Sequence, residues 1–424
     1  MTSQNKIIRL LHISDALPDY HSVWGGAEKV AFRQIKVSAI FNNFKVFAAG
    51  TKPSKQVKEG FDFFSILTTE NFLPPKIGRM VSAFKNQIIP FDLVSFFSLL
   101  YILLKIRPHI IHLHKTARIS LTPIIAAKLF KIPVVLAIYD YWYFCPNRLL
   151  IDKQANSCYR FHGQWCKNCS SLEGRPLLKF LSIFRRKIFD FFLSKVDRFS
   201  VLSESSGNLV AKYFGSENKI FLVRQLSISK EINRSAPIEP NSIFFNTWML
   251  PHKGVHIVVR AFSEVLKKIP QAKLYMAVKD AGNYSDNNYY QEIIRLIKES
   301  SFKNNIVIIE KPNYQEYLNL ISRANVVVVA EQWENMAPTT LADAMSFGKA
   351  IVASNIGGLP EMLKNGDSGL LADPKDPKDF ADKIIKILSD SSLAEEFGQR
   401  AIKNIRDYGS EDIIKKQLLN LYQF

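Results

Sequence analysis

The chain has 424 residues, of which 47% are hydrophobic. A chain of this length is too long to fold around a single hydrophobic core, so we expect two domains. The apolar fraction, with 18 glycines and 19 prolines, excludes the disordered and fibrous classes. The net charge of +18 favours an anionic partner such as a nucleotide phosphate, an anionic lipid or nucleic acid, although a generally lysine-rich composition gives the same total. Because the basic residues are spread along the chain, no nucleic acid partner is expected.

The N-terminal stretch MTSQNKIIRLLHIS runs directly into a predicted strand and lacks the features of a signal peptide. The longest apolar run, 93–106, stops at about 14 residues, whereas a membrane-spanning helix needs about 18 or more. We therefore expect a cytoplasmic protein.

Short apolar strands alternate with helices along the whole chain. The first series of predicted strands is 7–14, 44–50, 110–114, 133–139 and 198–203, and the second is 242–248, 272–278, 305–310, 325–330, 350–355 and 369–373. Helices are predicted between strands, for example at 255–269 and 314–324. This alternation predicts parallel sheets covered by helices, and two such series predict two facing, doubly wound, Rossmann-like α/β domains.

The polar segment 225–241 contains two prolines and is the predicted linker. It divides the chain into an N-terminal domain, 1–226, and a C-terminal domain, 227–424, whose last helix is expected to pack back on the N-terminal domain. Facing domains of this kind bring the carboxyl ends of both sheets to one cleft, which is where ligands bind in such folds.

The segment 177–195 mixes aromatic and basic residues at roughly helical spacing. Its basic residues are Lys179, Arg185, Arg186, Lys187 and Lys195. A basic helix with Phe and Leu on its other face can lie on an anionic membrane surface. The alternative is an ordinary helix whose apolar face packs in the core.

The stretch WENMAPTTLADAM, 333–345, follows a predicted buried strand and so emerges at the cleft. Pro338 suits the first helical turn, where its missing N–H costs nothing. The backbone N–H groups of Ala337, Thr339 and Thr340 would then face outward, which is an anion site best matched by phosphate. On either side of it, Glu334 could accept hydrogen bonds from sugar hydroxyls and Asp343 from a ribose. The alternative is that Glu334 caps the helix and Asp343 is a solvated helix acid.

Two further loops have a similar position after a strand. Lys253 precedes Gly254 and a helix, so its ammonium could reach a phosphate near that helix start. Gly25 and Gly26 precede the first helix and permit a close approach of the backbone to a ligand, although an ordinary turn explains them equally well.

Together these segments resemble the retaining glycosyltransferases of family 4. The resemblance rests on GGAE (25–28), RPHIIHLH (107–114), YDYWYFCPN (139–147), VDRFSVLSE (196–204), LPHKG (250–254) and WENMAPTTLADAMSFGKAIVASNIGGLPE (333–361), in this order. It implies the GT-B fold, a nucleotide-sugar donor held by the C-terminal domain, with UDP as the expected nucleotide, and a glycan or lipid-linked acceptor held by the N-terminal domain.

The resemblance also implies roles for individual residues. Donor contacts fall on Gly25, Gly26, Lys253, Glu334, Met336, Ala337, Pro338, Thr339 and Asp343, acceptor contacts on Tyr139, Asp140 and Trp142, and catalytic roles on Asp140 and Glu334. Asp140 is the candidate for orienting the acceptor hydroxyl, and a buried structural aspartate is the alternative. Retention implies front-face attack in which a donor phosphate oxygen takes the acceptor proton, so no catalytic metal is expected.

Three positions depart from the family pattern. The two acids of the 333–361 motif have eight residues between them where the family has seven, which indicates an inserted residue at Met336 or Ala337, and the second acid is an aspartate. Trp248 occupies the position of a usual arginine, so that phosphate neutralisation would depend on Lys253 with help from Arg224. Tyr139 replaces a usual histidine and cannot be a cation at neutral pH.

All four cysteines lie in one window, at Cys145, Cys158, Cys166 and Cys169. In a cytoplasmic chain disulfides are not expected, and four thiols including a C-x-x-C suit a closed, tetrahedral structural zinc site. His162 is a possible substitute ligand, and reduced thiols without a metal are the alternative.

The leading interpretation is a transferase that moves a sugar to a polysaccharide, a lipopolysaccharide or a lipid-linked oligosaccharide at the inner face of a membrane. Two alternatives stay open: a nucleotide-sugar epimerase, and a catalytically degenerate scaffold that binds nucleotide-sugar or membrane. The departures at Trp248 and Tyr139 favour the scaffold, whereas nothing in the sequence resembles the acid–base residues of an epimerase.

Overall fold

The computed structural model describes residues 7–21, 25–54, 60–152, 156–161, 166, 176–226, 237–278 and 288–424, without the side chains of 177–179 and 182. The chain forms two compact units. The first comprises residues 1–226 and 411–424, and the second comprises residues 227–410. Among the described residues, no helix combines the length and the apolar content needed to cross a membrane.

The first unit is built on a parallel sheet of seven strands in the order β3-β2-β1-β4-β5-β6-β7. The strands are β1 (Ile8–Ile13), β2 (Phe44–Gly50), β3 (Asp62–Ser65), β4 (Ile110–Leu113), β5 (Val134–Ala137), β6 (Arg198–Val201) and β7 (Ile220–Leu222). The helices are α1 (Gly26–Ser38), α2 (Pro75–Gln87), α3 (Leu93–Ile106), α4 (Thr122–Leu129), α5 (Pro176–Leu181), α6 (Arg185–Leu193) and α7 (Glu204–Phe214). The sequence predicted the five inner strands and missed the two edge strands, β3 and β7.

The second unit has a parallel sheet of six strands in the order β10-β9-β8-β11-β12-β13. Its strands are β8 (Ser242–Thr247), β9 (Lys273–Val278), β10 (Ile306–Glu310), β11 (Val326–Val329), β12 (Ala350–Ser354) and β13 (Leu370–Ala372), which are the six predicted from the sequence. Its helices are α8 (Val255–Lys268), α9 (Asn288–Glu299), α10 (Tyr314–Arg323), α11 (Thr339–Ser346), α12 (Leu359–Met362), α13 (Pro377–Leu388) and α14 (Ser391–Gly409). Counted within the unit, the order is 3-2-1-4-5-6, the doubly wound Rossmann order.

The central strands are continuous apolar runs because helices cover both faces of each sheet. All four residues of β4, β5 and β11 are buried. This burial on both faces explains why the inner strands were recognisable in the sequence, and it confirms the predicted α/β class with two parallel sheets.

A last helix, α15 (Glu411–Tyr422), lies in the first unit although it follows the whole second unit in the sequence. It packs on α1 and β7 and buries Ile414, Leu418 and Leu421 against the first sheet. The second unit therefore ends at residue 410, and α15 completes the cover of the first.

The segment predicted as one basic, aromatic helix at 177–195 contains α5, a short 3-10 turn and α6. Arg185 does not lie on a solvated basic face, because its side chain is fully buried and stacks on the Phe189 ring at 3.5 Å. It donates a hydrogen bond to the Trp142 carbonyl. Phe189 and Phe192 are buried with it, which is what the alternative interpretation as a core helix expects.

Candidate functional site

In the second unit, the strand order reverses between β8 and β11, and the loops that follow these two strands touch each other. Gln332 N–H donates to the His252 carbonyl at 2.9 Å. Gly254 has φ +70°, and a Cβ at this position would lie 2.0 Å from the Ala330 carbonyl oxygen. Only glycine permits this approach, so the predicted Lys-Gly loop is held against the end of β11 at the place where doubly wound sheets bind ligands.

Lys253 lies in this contact, and its ammonium is already engaged by a carboxylate. Its Nζ is 2.8 Å from Glu331 Oε1 and 3.0 Å from Oε2, and Oε2 also accepts a hydrogen bond from the Trp333 indole at 2.6 Å. Burial, and then the Lys253 charge, lower the pKa of the neighbouring His252 to about 4. Sequence reasoning missed Glu331, although it follows directly after a predicted buried strand at the binding edge of the sheet.

The helix that opens the 333–361 motif begins one residue later than expected. Pro338 has φ −62° and ψ 127°, so it precedes α11 and does not lie in its first turn. Its carbonyl accepts from the N–H groups of Leu341 and Ala342 at 3.1 Å and 3.3 Å. The N–H groups of Thr339 and Thr340, which precede these two, have no acceptor within the helix because a helix start leaves them unmatched.

The two acids of the motif have different surroundings. Asp343 is fully buried, and its Oδ2 accepts from the Tyr317 hydroxyl of α10 at 3.0 Å. The alternative interpretation of Asp343 as a solvated helix acid is therefore wrong, and its contact with a ribose stays a prediction. Glu334 is half-buried and lies in the loop before α11.

The Gly-Gly turn after β12 supports the loop that carries Glu334. Gly358 N–H donates to the Asn335 carbonyl at 2.8 Å. Gly357 has φ +61°, and a Cβ there would lie 2.4 Å from the same carbonyl oxygen. The acid before α11 and the Gly-Gly turn, which lie far apart in the motif, are thus parts of one packed structure.

In the first unit, a small open pocket lies beyond the carboxyl ends of β4 and β5. His114, Lys115, Thr116, Ala117, Ala137, Tyr139, Asp140, Trp142, Tyr143 and Arg148 line it. The three predicted acceptor residues are therefore brought together. Asp140 accepts from the Trp142 backbone N–H at 2.9 Å, while the Trp142 indole donates to the Asn86 carbonyl at 2.9 Å.

Tyr139 is connected to a buried chain of histidines. Its hydroxyl donates to Gln34 at 3.2 Å and lies 2.7 Å from His114 Nδ1. Since the hydroxyl has one proton, it accepts from His114 Nδ1–H, and His114 Nε2 then accepts from His12 Nδ1 at 2.8 Å. His112, beside them, lies 2.8 Å from the Tyr422 hydroxyl of α15. Burial lowers the pKa of His12 to about 3, so its imidazole is neutral at pH 7.

The predicted Gly25–Gly26 loop leads to an ion pair at the same pocket. Gly25 N–H donates to Glu28 Oε2 at 2.9 Å, and Glu28 Oε1 lies 2.7 Å from Lys115 Nζ. Burial lowers the pKa of Lys115, but the facing Glu28 carboxylate outweighs it and leaves the pKa raised. The Gly25 N–H therefore has an acceptor within the first unit, and a contact of Gly25 or Gly26 with a donor stays a prediction.

Asp15 is a second residue that the sequence analysis missed. It lies two residues after the end of β1, and its carboxylate accepts from the N–H groups of Arg118 and Ile119 at 2.8 Å and 3.0 Å. Burial raises the pKa of Asp15 to about 6. The sequence signal for Asp15 was its position directly after the first predicted strand, 7–14, where loops of an α/β fold carry functional residues.

The described cysteines are all reduced: Cys145 and Cys166 are buried, and Cys158 is half-buried. Cys169 and the possible ligand His162 lie outside the described residues, so the zinc site stays a prediction. Within the described part of the chain, the potential metal ligands whose donor atoms lie within 4.8 Å of one another are His12, His112 and His114.

Comparisons with known proteins agree with this architecture. Residues 229–404 match the family described as glycosyl transferases group 1. The D-inositol 3-phosphate glycosyltransferase of Corynebacterium efficiens is 27% identical over 187 residues, which are 44% of this chain and 43% of that protein. The chain spans about half, or less, of the length of the curated relatives it matches.

Solved structures are similar over nearly the whole chain. The sucrose-phosphate synthase of Thermosynechococcus elongatus has a TM-score of 0.70 at 16% identity, covering 98% of each chain. The Anabaena protein HepE, solved in complex with UDP and glucose, has a TM-score of 0.68 at 13% identity, covering 97% of this chain and 98% of that one. The chain thus has the GT-B fold of two Rossmann-like domains, and its residues 229–404 match the model of the glycosyl transferases group 1 family.

Proposed function

We propose that the chain is a retaining glycosyltransferase of family 4 that moves a sugar from a nucleoside diphosphate, UDP, to a polysaccharide or lipid-linked oligosaccharide. The observation that carries the proposal is the meeting of Lys253 with the loop before α11 where the second sheet reverses its strand order. Support for the nucleotide comes from the similar Anabaena protein, whose structure contains UDP and glucose.

The donor diphosphate would be bound by fixed positive groups of the second unit. Lys253 supplies an ammonium, and the first N–H groups of α11 at Thr339 and Thr340 supply the positive end of a helix dipole. Glu331 holds the Lys253 side chain in place, because the two are paired through both carboxylate oxygens. These groups would stabilise the charge that develops on the diphosphate as the sugar departs.

Glu334 is proposed to hydrogen-bond the hydroxyls of the donor sugar, with Met336, Ala337 and Pro338 forming the loop around it. Asp343 anchors α11 against α10 through Tyr317. Because a carboxylate can accept several hydrogen bonds, a ribose hydroxyl could bind Asp343 while the Tyr317 bond to Oδ2 is kept.

The acceptor is proposed to enter the pocket at Tyr139, Asp140 and Trp142. Asp140 would orient the acceptor hydroxyl, and Tyr139 would be held in position by His114 and Gln34. In the transfer, the bond from the anomeric carbon to the diphosphate oxygen breaks and a bond to the acceptor oxygen forms on the same face. The acceptor proton passes to the departing phosphate oxygen, so the step needs no metal.

The proposal includes a location and a structural metal. The chain would act in the cytoplasm at the inner face of a membrane, where lipid-linked acceptors lie. A structural zinc bound by Cys145, Cys158, Cys166 and Cys169 would fix the loop that follows the acceptor pocket. Metal analysis of the purified protein tests this part independently of activity.

A second candidate function is a scaffold that binds nucleotide-sugar without transferring it. The pairing of Lys253 with Glu331 favours this candidate, because the carboxylate reduces the positive charge available to a diphosphate. The absence of the usual arginine at Trp248 acts in the same direction.

Thermal unfolding of the purified chain with UDP and a panel of UDP-sugars tests donor binding, because a ligand that binds the folded state raises the Tm. Lys253→Met should abolish most of the UDP-induced shift, whereas the matched control Lys267→Met on the exposed face of α8 should keep it. An unchanged shift in Lys253→Met would overturn the donor site. Release of UDP in the presence of acceptor separates the transferase from the scaffold.

A further inference from the structure

Helix α3 is apolar on both of its faces, and the described residues of the chain bury only one of them. Ser95, Leu99 and Leu103 are buried, while Leu93, Phe97, Tyr101 and Leu104 are each 59–65% exposed. These four residues, the α3 stripe, are spaced by four, four and three positions and therefore lie along one side of the helix. A helix that is apolar all round normally has a cover on each side.

Helix α2 has a similar exposed row. Ile77, Met80 and Phe84, the α2 stripe, are spaced by three and four positions and are all exposed. Lys76 and Arg79 are both exposed. Lys76 lies four positions before Met80 and so borders the stripe, whereas Arg79 lies about 100° further round the helix from Met80. Basic groups therefore accompany the apolar stripe.

The two helices are joined where α2 ends and α3 begins. Lys85, near the end of α2, forms a buried ion pair with Asp92, which caps the start of α3. The Asp92 carboxylate accepts from Ser95 N–H at 2.8 Å, so the same acid also closes the first turn of α3. The α2 and α3 stripes together are called the α2–α3 surface below.

The exposed charges of this region are all positive. Residues 75–107, all of which the structure describes, contain one acid, Asp92, and it is buried in the pair with Lys85. The exposed charged residues are Lys76, Arg79, Lys105 and Arg107. Lys105 Nζ lies 5.9 Å from the Tyr101 ring centroid, beside the α3 stripe.

This combination distinguishes between possible partners. A second copy that packed through the same surface in a symmetric dimer would bring these positive charges together, and the acid Glu70, which packs beside Gly78 of α2, is already paired with Lys85. An anionic bilayer surface instead offers apolar chains for Phe97 and Leu104 and negative headgroups for Lys76, Arg79 and Lys105. At 14 residues, α3 suits a helix that lies in the bilayer interface.

We propose that the α2–α3 surface docks the chain on an anionic lipid bilayer, with both helices lying along the interface. The proposal deepens the membrane location proposed above, yet it does not rest on the sugar transfer, because the surface is formed within the first unit alone. Docking of the first unit would bring the acceptor-binding domain to the layer in which lipid-linked acceptors are dissolved.

Co-sedimentation with vesicles, without donor or acceptor, tests the proposal. The full chain should bind phosphatidylcholine vesicles that contain phosphatidylglycerol and bind pure phosphatidylcholine vesicles much more weakly. Phe97→Ser/Leu104→Ser should weaken binding to the anionic vesicles about tenfold or more, because the lost apolar burial contributes roughly 25 cal/mol per Å². The control Ile40→Ser/Ile238→Ser, at two exposed apolar positions elsewhere, should bind like the wild type.

A second double variant tests the charged residues. It also gives an independent result if the first double variant does not fold. Lys76→Glu/Arg79→Glu should weaken binding to anionic vesicles about tenfold or more, since each basic residue near such a surface contributes about 1 kcal/mol. Lys253→Met, which tests the donor site, should bind vesicles like the wild type, so the two proposals can fail separately.

Three results would overturn the docking proposal. The wild type could stay in the supernatant with anionic vesicles, or both pairs of variants could bind as tightly as the wild type. Sedimentation velocity could also show a dimer that Phe97→Ser/Leu104→Ser dissociates, in which case the surface is a contact between copies of the chain.

Discussion

Acid should destabilise the first unit because of its buried histidines. Burial lowers the pKa of His12 from the ordinary 6.5 to about 3, so His12 is neutral in the folded chain and takes up a proton on unfolding below pH 6.5. A depressed folded-state pKa contributes stability that is complete above pH 6.5 and is lost as the pH falls toward 3. From pH 7 to pH 5, linkage gives a loss of about 2 kcal/mol for this residue.

The neighbouring groups decide the net effect. Burial also holds the pKa values of His112 and His114 well below the ordinary value, so both add to the loss. Asp15 acts in the opposite direction, because burial raises its pKa to about 6 and protonation in the folded state returns about 1 kcal/mol between pH 7 and pH 5. We therefore expect the free energy of unfolding of the first unit to fall by at least about 2 kcal/mol over this range.

Urea unfolding at pH 7, 6 and 5, read by pulsed hydrogen exchange in peptides from β1 and β4, measures this fall in the first unit. His12→Gln should reduce the fall by about 2 kcal/mol, since glutamine does not titrate. Tyr422→Phe removes the hydroxyl beside His112 and should lower stability equally at each pH. A pH dependence in His12→Gln equal to that of the wild type would refute the reasoning.

Two further substitutions test contacts that the structure shows. Gly357→Ala should destabilise the second unit by roughly 1–3 kcal/mol in calorimetry, because the new Cβ would meet the Asn335 carbonyl in a strained backbone. Gly366→Ala, at φ +76° but in open space, should cost less, and equal losses would contradict the packing argument. Lys85→Met should cost about 3–5 kcal/mol in urea unfolding because it leaves the Asp92 carboxylate buried without its cation, and Lys85→Met/Asp92→Asn should recover part of that loss. A single variant as stable as the wild type would show that the pair does not hold α2 to α3.

The fold could be predicted from the sequence where burial was two-sided. The inner strands, such as Val326–Val329, are short apolar runs because helices cover both faces of the sheet. Such runs can be recognised from the sequence alone. The edge strands Asp62–Ser65 and Ile220–Leu222 are three or four residues long and only partly buried, so no comparable run marked them.

The site could be predicted only as far as the loops and not as far as the side-chain partners. Lys253 was found because a lysine before a glycine and a helix is a local pattern, whereas its partner Glu331 lies 78 positions away on another loop. Asp343 was predicted to contact a ribose, with a solvated helix acid as the alternative. Six of the eight residues of α11 are buried, so the sequence pattern of this helix does not show in which direction Asp343 points.

The histidine chain shows the same limit. The spacing of His112 and His114 places both on one side of a strand, and this is visible in the sequence. Their contact with His12 depends on the register that sets His12 opposite His112, which a single sequence does not contain.

The position of α15 has a consequence for how the chain is made. The first sheet is synthesised early, but Leu418, Leu421 and Tyr422 cover it only after the entire second unit has been translated. Until then, His112 lacks its tyrosine and an apolar face of the sheet is open to solvent. During synthesis, the first unit would therefore expose apolar residues until the second unit has been translated. A chaperone that binds exposed apolar surface would bind the nascent chain most strongly in this interval.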